Sequence, residues 1–388
     1  MKQSDLAIHG MSSALISLYE ADRRSPSYEM VQALAERLGV SVSVFFPGCD
    51  DESHQQILMT LITQAERAER RHAWQEALDC WQSAYVICQS HHIADYAYRI
   101  LQHKGMAIAE LQHWQESLDM LLGLLVHPQF AKDLDNAYTV LWYLGKCSRE
   151  LGHWEQANTF AKLALTIVSP SDERSIRMHI NIGSGALHIG DWEKAIESNR
   201  IAIAAAAEMG SGDLEAWGHI GLTSAYLNQG KTEDVESHLN RAQKLAVLLD
   251  NHALITAVQH NFMVFHRITG NVAAAKELAV TLSASDNLTQ QNKAELLHEK
   301  LLLAASTADR DLGEQSLREL KSLEGVSGTM RGLLWLGAVE YFVSSMQFEQ
   351  ATQFLRLAQN SLNISRYHDS SVIIRLNNAI TERGEYDE

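Results

Sequence analysis

Trp154-Glu-Gln-Ala157 and Trp192-Glu-Lys-Ala195 are two copies of one tetrapeptide pattern, in which a small residue follows an aromatic residue by three positions. The pattern occurs earlier at Trp74-Gln-Glu-Ala77 and Trp114-Gln-Glu-Ser117, so that successive tryptophans are 40, 40 and 38 residues apart. A period of this size predicts an array of helical hairpins, each of which packs only on its neighbours. We call these tetrapeptides the repeat marks.

The period continues in weaker form towards the C-terminus. The same step predicts further marks at Thr232-Glu-Asp-Val235, Val272-Ala-Ala-Ala275, Leu312-Gly-Glu-Gln315 and Phe348-Glu-Gln-Ala351. Proline interrupts helices, and none follows Pro170. We therefore expect a repeat domain over 57–388 with about eight helical hairpins, at 57–93, 94–132, 133–171, 172–211, 212–251, 252–287, 288–326 and 327–366, and a capping helix over 370–384.

The unit at 172–211 resembles a tetratricopeptide repeat. The resemblance rests on Gly183, Gly190, Trp192 and Ala195, which stand at the positions where paired helices approach each other and turn. The resemblance implies an all-α fold, a right-handed superhelical solenoid whose first helices line a concave groove. We expect the tryptophans of the marks to serve packing and not to form a ligand platform.

Composition limits the functional classes. The chain has 388 residues, 46% of them hydrophobic, and a net charge of −16, which argues against general affinity for nucleic acids or anionic membranes. No apolar run approaches the roughly 20 residues that a bilayer requires, and no secretion signal is visible. The four cysteines form no CxxC pair. We expect a cytoplasmic protein with no metal, no cofactor and no membrane partner.

Signatures of enzymes are missing from the sequence. There is no Walker loop, no HExxH and no assignable Ser/His/Asp arrangement. Glu295-Leu-Leu-His298 has half of the spacing of a di-iron site, but no second copy appears. We expect that the protein is not an enzyme.

Residues 1–48 lie outside the period. A helix-like stretch over 4–9 ends at Gly10, Ser12 can cap a helix that runs to Glu20, and Pro26 with Ser27 starts a helix from Tyr28 to Leu38. Helix, tight glycine turn and helix are the geometry of a helix-turn-helix. The acidic segment 49–56 is expected to be a linker.

This segment resembles the phage-repressor-like (XRE/Cro) DNA-binding domains over about 42 residues. The residues that carry the resemblance are Leu6-Ala7, Gly10-Met11-Ser12, Ile16-Ser17, Tyr19-Glu20, Arg24-Ser25-Pro26-Ser27, Leu34-Ala35, Leu38-Gly39-Val40 and Phe45. The family's first helix has no counterpart here, and the segment's net charge is −1, from Lys2, Arg23, Arg24 and Arg37 against Asp5, Glu20, Asp22, Glu29 and Glu36. We expect either a natural start upstream of Met1 or a domain that no longer binds DNA.

The resemblance implies which residues contact DNA. The helix after Gly10 would enter the major groove, with Ser13, Ala14 and Ser17 at base edges. Ser12 would bond a phosphate from the helix N-terminus. Arg23 and Arg24 would lie on the DNA backbone, although a solvated loop explains them as well.

Polar residues on the first helices of the repeats are the ligand candidates. Asn181 and Asn261 occupy equivalent places, nine residues before Gly190 and Gly270. Asparagine carries a donor and an acceptor on a short arm, so a series of asparagines can hold the backbone of an extended peptide. Arginine can bind its terminal carboxylate. The predicted peptide-binding residues are Asn181, Asn261, Asn228, Lys146, Arg149, Arg177, Tyr226 and Arg267, although each asparagine could instead bond a neighbouring helix.

The combination of a repressor-like helix-turn-helix with tetratricopeptide-like repeats resembles the cytoplasmic peptide-pheromone receptors of Gram-positive bacteria. These RRNPP-type proteins include neutral-protease and virulence regulators. The resemblance implies a homo-oligomer, usually a dimer, that binds a short signalling peptide in its groove and thereby changes its arrangement on operator DNA. The alternative is a repeat-based interaction module that binds a response-regulator protein of a phosphorelay, with little or no DNA binding.

Overall fold

The structure is a computed structural model of the chain. It describes residues 13–20, 26, 28–38, 51–91, 93, 96–285, 288–323, 326, 328–361 and 370–384. All regular structure in these ranges is helical, which confirms the predicted all-α class. None of the described helices is long and apolar enough to cross a membrane.

The described residues of the N-terminal segment form two helices, whose bounds agree with the sequence prediction: α1 (Ser13–Glu20) and α2 (Tyr28–Leu38). Ile16 of α1 and Leu34 of α2 are 3% and 8% exposed and pack together. Met30 joins this small core, whereas Leu38 is 38% exposed at the end of α2.

From residue 51 onward the described helices alternate as the first and second helices of eight hairpins, which have the form expected of tetratricopeptide-like repeats. The first helices are α3 (Asp51–Arg70), α5 (Ala97–Glu110), α7 (Leu134–Glu150), α9 (Glu173–His188), α11 (Gly212–Asn228), α13 (His252–Ile268), α15 (Gln290–Thr307) and α17 (Gly328–Ser344). The second helices are α4 (Trp74–Ser90), α6 (Trp114–Leu124), α8 (Trp154–Leu165), α10 (Trp192–Met209), α12 (Val235–Leu248), α14 (Val272–Ser283), α16 (Arg310–Ser322) and α18 (Phe348–Ser361). A further helix, α19 (Ser370–Gly384), follows the eighth hairpin.

Two boundaries differ from the expected domains. Helix α3 begins at Asp51, inside the segment 49–56 that was expected to be a linker. Acidic residues suit both a linker and the first turn of a helix, where they complement the helix dipole, so composition alone does not separate the two. The chain also divides into two compact units, which we call unit 1 (Met1–Cys147) and unit 2 (Ser148–Glu388). Each is described by itself below.

The repeat marks follow from the backbone of the hairpin turn. In seven hairpins the residue two positions before the second helix has a positive φ: His72 (56°), Gln112 (66°), Gly152 (76°), Gly190 (75°), Gly270 (80°), Ala308 (51°) and Met346 (59°). Glycine adopts this left-handed conformation without the steric cost that a Cβ brings, which explains the glycines before many of the marks. The next residue can then cap the second helix, as Asp191 does when its carboxylate accepts a bond from the Lys194 amide at 3.0 Å.

The small residue of each mark is buried between helices. The exposed fraction is at most 4% for each of the following: Ala77, Ser117, Ala157, Ala195, Val235, Ala275 and Ala351. The seventh mark was placed wrongly by the sequence: Gln315 is exposed, and the buried small residue is Gly313, whose position admits no side chain beside the ring of Tyr341. Because α16 begins at Arg310, this mark is Arg310-Asp-Leu-Gly313, two residues earlier than expected.

Candidate functional site

Unit 2 contains a cavity of about 580 Å³, lined mostly by the first helices α9, α11, α13, α15 and α17. This volume lies within the range of about 300–1,000 Å³ that is typical of ligand sites. The first helices thus supply most of the lining of this cavity, while their role in facing a ligand stays a prediction. Trp192, the aromatic residue of a repeat mark, also lines the cavity, in addition to its packing role.

Each contributing helix presents one face to the cavity. Helix α11 contributes Trp217, Ile220, Ser224 and Asn228, and helix α13 contributes Ala253, Thr256, Ala257, His260 and Asn261. The intervals of three, four, seven and eight residues are those of neighbours on one face of an α-helix. Their repetition on successive helices builds a continuous wall.

Asn261 is the most constrained polar residue of this wall. It is 6% exposed, and its Nδ2 donates to the carbonyl oxygen of Ile220 on the neighbouring α11 at 3.0 Å. The hydroxyl oxygens of Thr223 and Ser224 lie at the same distance from Nδ2. A carbonyl oxygen can only accept a hydrogen bond, so this contact fixes the orientation of the amide.

The fixed amides leave acceptors for a ligand. Nδ2 of Asn228 donates to the Ser224 carbonyl oxygen at 2.8 Å, which fixes this second asparagine in the same way. Within the described part of the chain neither Asn228 Oδ1 nor Asn261 Oδ1 accepts a hydrogen bond. Both asparagines therefore present an oxygen, and not an amino group, as the atom available to a ligand.

The α15 wall is acidic. Asn292, Glu295 and Glu299 lie on its cavity face. Glu299 is 8% exposed and accepts a hydrogen bond from Arg267 Nε at 2.8 Å, across from α13. Burial pushes the pKa of the Glu299 carboxyl up, but the opposing causes, of which the charge of Arg267 is the largest, hold it below its usual range.

Glu295 differs from Glu299 in its partners. Its Oε1 accepts a hydrogen bond from the Gln291 side chain at 2.8 Å, and no cationic side chain of the described residues pairs with it. The cavity lining includes no lysine or arginine. The described residues contain no group of three or more histidine, cysteine, aspartate or glutamate side chains that could hold a metal ion.

Two histidines of the lining are held neutral by burial. The His188 ring stacks on Trp154 with a centroid distance of 3.7 Å and an interplanar angle of 8°. Burial lowers the pKa of His188 to about 4. Burial is also the largest cause that lowers the pKa of His298.

Among the predicted peptide-binding residues, Asn228 and Asn261 line the cavity. Asn181 is half-buried on α9, makes no side-chain hydrogen bond within the described residues, and lies outside the cavity lining, to which α9 contributes Leu187 and His188. Arg177 is exposed, with Glu173 and Asp213 carboxylates 3.9 Å from its guanidinium.

The remaining predicted residues are engaged within the protein or lie elsewhere. Tyr226 packs towards α12 and accepts a hydrogen bond from Arg200 at 2.7 Å. Arg267 binds Glu299 behind the lining. In unit 1, Lys146 Nζ lies 2.7 Å from Glu110 and faces the rings of Trp114, Trp142 and Tyr143. Arg149 is half-buried near the end of α7 and does not line the cavity.

The polar lining residues that were missed at the sequence level include Ser224, Thr256, Thr289, Asn292, Glu295 and Glu299. A helical count finds the first two, because Ser224 lies four residues before Asn228 and Thr256 lies five before Asn261 and four before His260. Glu295 and His298 were noticed only as half of a metal motif. Their place on the cavity face of α15 was not considered.

The proposed DNA contacts are only partly within the described residues. Ser13, Ala14 and Ser17 lie on α1, and Ser17 is exposed while its neighbour Ile16 is buried. Ser12, Arg23 and Arg24 lie outside the described residues.

Comparison with known proteins identifies the N-terminal segment. Residues 2–45 match the helix-turn-helix family model HTH_3. This match confirms the helix-turn-helix domain expected from the sequence. No curated protein sequence matches the chain.

The chain is similar to several solved structures. A Rap protein complexed with competence and sporulation factor is similar with a TM-score of 0.54 and 13% identity, covering 85% of this chain and 99% of that one. At this identity the likeness shows the fold alone. A tetratricopeptide repeat protein from Parabacteroides merdae has a TM-score of 0.38 and 11% sequence identity. The match covers 84% of this chain and 99% of that one. Bacillus thuringiensis PlcR in complex with the peptide PapR7 and DNA has a TM-score of 0.38 and 14% sequence identity. The match covers 66% of this chain and 93% of that one.

Proposed function

We propose that this protein is a transcriptional regulator that binds a short signalling peptide in the cavity of unit 2 and DNA through its helix-turn-helix. Peptide binding would shift the population of oligomeric arrangements and with it the affinity for operator DNA. The observation that carries the proposal is the cavity wall, where Asn228 and Asn261 hold their amides fixed and leave acceptor oxygens open.

An extended peptide offers what these oxygens require. Its backbone N–H groups are unpaired donors. The Asn261 acceptor is buried and favours such a donor, because an unmade hydrogen bond in a desolvated site costs about 1–3 kcal/mol, whereas Asn228 is exposed. The apolar lining, including Trp192 and Trp217, provides surface for peptide side chains. The site therefore suits binding of an oligopeptide and lacks an arrangement for catalysis.

The DNA-binding half of the proposal is supported by the family match over residues 2–45 and by the exposed position of Ser17 on α1. A helix of this kind reads base edges from its exposed N-terminal turns. We propose Ser13, Ala14 and Ser17 as base contacts and Ser12, Arg23 and Arg24 as backbone contacts.

A binding selection tests the peptide half. The full chain would be equilibrated with pools of short synthetic peptides, and retained peptides identified by mass spectrometry. We expect a subset to be retained by the wild type and lost by Asn261→Ala, with Asn240→Ala, on the exposed surface of α12, as the matched control. If no pool yields a retained peptide, the proposed function is wrong.

A selection from random DNA duplexes tests the other half. We expect enrichment of one sequence by the full chain, a change in its affinity when a retained peptide is added, and loss of enrichment for Ser17→Arg. Peptide-independent DNA affinity would contradict the coupling of the two sites, since a ligand shifts an equilibrium only by its differential affinity.

The alternative function is a repeat-based module that binds a protein such as a response regulator. It is favoured by Val247 and Leu248 at the end of α12, which are 63% and 80% exposed and are followed by Leu249 at 44%. A contiguous exposed apolar stretch marks a surface for protein contact. Retained peptides without any enriched DNA sequence would support this alternative.

A further inference from the structure

We infer that the cavity selects its peptide by a cationic group, an ammonium or a guanidinium, which Glu295 receives on the α15 wall. This inference rests on the proposed function and specifies the chemistry of its ligand. The Glu295 carboxylate, together with the oxygens of Asn228 and Asn261, makes the polar part of the lining rich in acceptors.

The charges of the lining carry the first step. Glu299 is neutralised by Arg267, which lies behind the cavity face. Glu295 has a hydrogen bond from an uncharged amide and no cationic partner within the described residues. Among the described residues that line the cavity there is no lysine or arginine, so the Glu295 carboxylate has no compensating cation in this partly desolvated site. A cationic group of the ligand would form an ion pair with the Glu295 carboxylate.

The orientation of Asn261 is an independent observation. Its side chain is more than nine-tenths buried, and its Nδ2 is held by acceptors of α11, so its Oδ1 is left unpaired in the cavity wall. An ammonium carries three N–H donors and a guanidinium five. A group with several donors can satisfy the carboxylate and an amide oxygen at once, whereas an anionic group would find its charge repelled by both.

Two parts of a peptide supply this chemistry. One is the α-ammonium at its N-terminus, and the other is a lysine or arginine side chain. The two differ in position and in response to acetylation, so peptide chemistry distinguishes them.

The test uses three matched pools of short peptides with the full chain. The first pool has free N-termini and contains lysine, the second is N-acetylated, and the third replaces lysine by norleucine, which keeps the apolar stem. We expect retention to fall about tenfold or more in the pool that lacks the recognised cation, as for loss of a charged hydrogen bond. A fall in the acetylated pool assigns the α-ammonium, and a fall in the norleucine pool assigns the side chain.

Two variants connect the preference to its residue. Glu295→Gln, which keeps size and removes charge, is expected to remove the preference for cationic peptides, with neutral peptides retained as before. Glu277→Gln makes the same change on the exposed surface of α14 and is expected to leave the preference intact. Added salt should weaken wild-type binding of cationic peptides more than that of neutral ones, which keeps the inference testable if Glu295→Gln folds poorly.

The outcomes separate the two claims. Equal retention from charged and neutral pools, or an unchanged preference in Glu295→Gln, overturns this inference and leaves the proposed function standing. No retention from any pool overturns both.

Discussion

The first helices of unit 1 are joined to one another by paired polar side chains, whereas those of unit 2 leave polar atoms open towards a cavity. In unit 1, His103 lies 3.1 Å from Glu69 and Lys146 lies 2.7 Å from Glu110, each pair joining successive first helices. Arg99 and Glu66 pair across α5 and α3. Unit 2 uses Asn261 and the Arg267–Glu299 pair in this way, but Glu295 and two asparagine oxygens remain available.

This difference concerns where the polar groups between first helices find their partners. A polar group between two helices lowers the free energy of the fold when its partner belongs to the protein, and it becomes a binding group when its partner must come from outside. In unit 1 three pairs of charged or ionisable side chains join successive first helices, Arg99 with Glu66, His103 with Glu69 and Lys146 with Glu110. We therefore place the proposed ligand site in unit 2.

Glu299→Gln tests the strongest internal pair of unit 2. Both side chains are largely buried, at 18% exposure for Arg267 and 11% for Glu299. Loss of the carboxylate leaves the guanidinium buried without a countercharge, which typically costs about 3 kcal/mol or more. We expect the free energy of unfolding in urea to fall by about that amount. Glu314→Gln, in the exposed pair with Arg310, is the control and should cost about 0.5 kcal/mol or less. If Glu299→Gln and Glu314→Gln lowered the free energy of unfolding equally, the buried pair would contribute no more to stability than the exposed pair.

Asn261→Ala separates an asparagine that joins two helices from one that does not. The substitution removes the contacts of Asn261 Nδ2 with α11, and we expect the free energy of unfolding to fall by about 2 kcal/mol. We also expect the affinity for any retained peptide to be lost. Asn181→Ala is the matched variant at the equivalent repeat position and is expected to change stability by about 0.5 kcal/mol or less. Thermal and urea unfolding with peptide titration give both quantities. A large affinity loss at Asn181 would extend the site beyond the cavity.

These results show what the sequence could determine. Hairpins and their turns were predictable, because a left-handed residue and a buried small residue recur at fixed offsets from each second helix, as at Gly190 and Ala195. The seventh mark was misplaced because no aromatic residue fixes its register, and burial of Gly313 depends on Tyr341, which lies 28 residues later in the sequence.

The sequence predicted part of the cavity lining better than the chemistry of its side chains. Counting from the turns placed Asn261 on the ligand-facing side, and it does line the cavity. The same count chose Asn181, yet α9 reaches the cavity only near Leu187. The donors of Asn261 are used by residues of α11, 37 to 41 positions away, so no local pattern could show that only its oxygen is open.

Acidification is expected to destabilise unit 2 through His188. Burial holds the folded pKa of His188 at about 4, below the ordinary value of about 6.5 in an unfolded chain. The unfolded state therefore binds a proton first. Stability is complete above about pH 6.5 and falls by about 1.4 kcal/mol per pH unit towards pH 4 for this one group.

His188→Phe retains a ring to stack on Trp154 and removes the titration. We expect the slope of unfolding free energy against pH, between about pH 4 and pH 6.5, to decrease by the amount that corresponds to about one bound proton. The exposed His252, replaced by Gln, is the control and should leave the slope as it is. An unchanged slope in His188→Phe would mean that the ring is not held neutral by its surroundings.

Glu110→Gln is the smallest expected change and tests the internal pairing of unit 1. Glutamine keeps an oxygen that can accept from Lys146 and from the Tyr143 hydroxyl, which lies 2.9 Å from the carboxylate. The ammonium also keeps the three surrounding aromatic rings, at 5.5 to 5.7 Å, as a partial replacement for the lost charge. We expect a cost of about 1 kcal/mol in urea unfolding, reduced by added salt, and no change in retention of peptides. A cost as large as that of Glu299→Gln, or a loss of peptide binding, would show that the pairs of unit 1 are part of the ligand site and that the contrast between the two units does not hold.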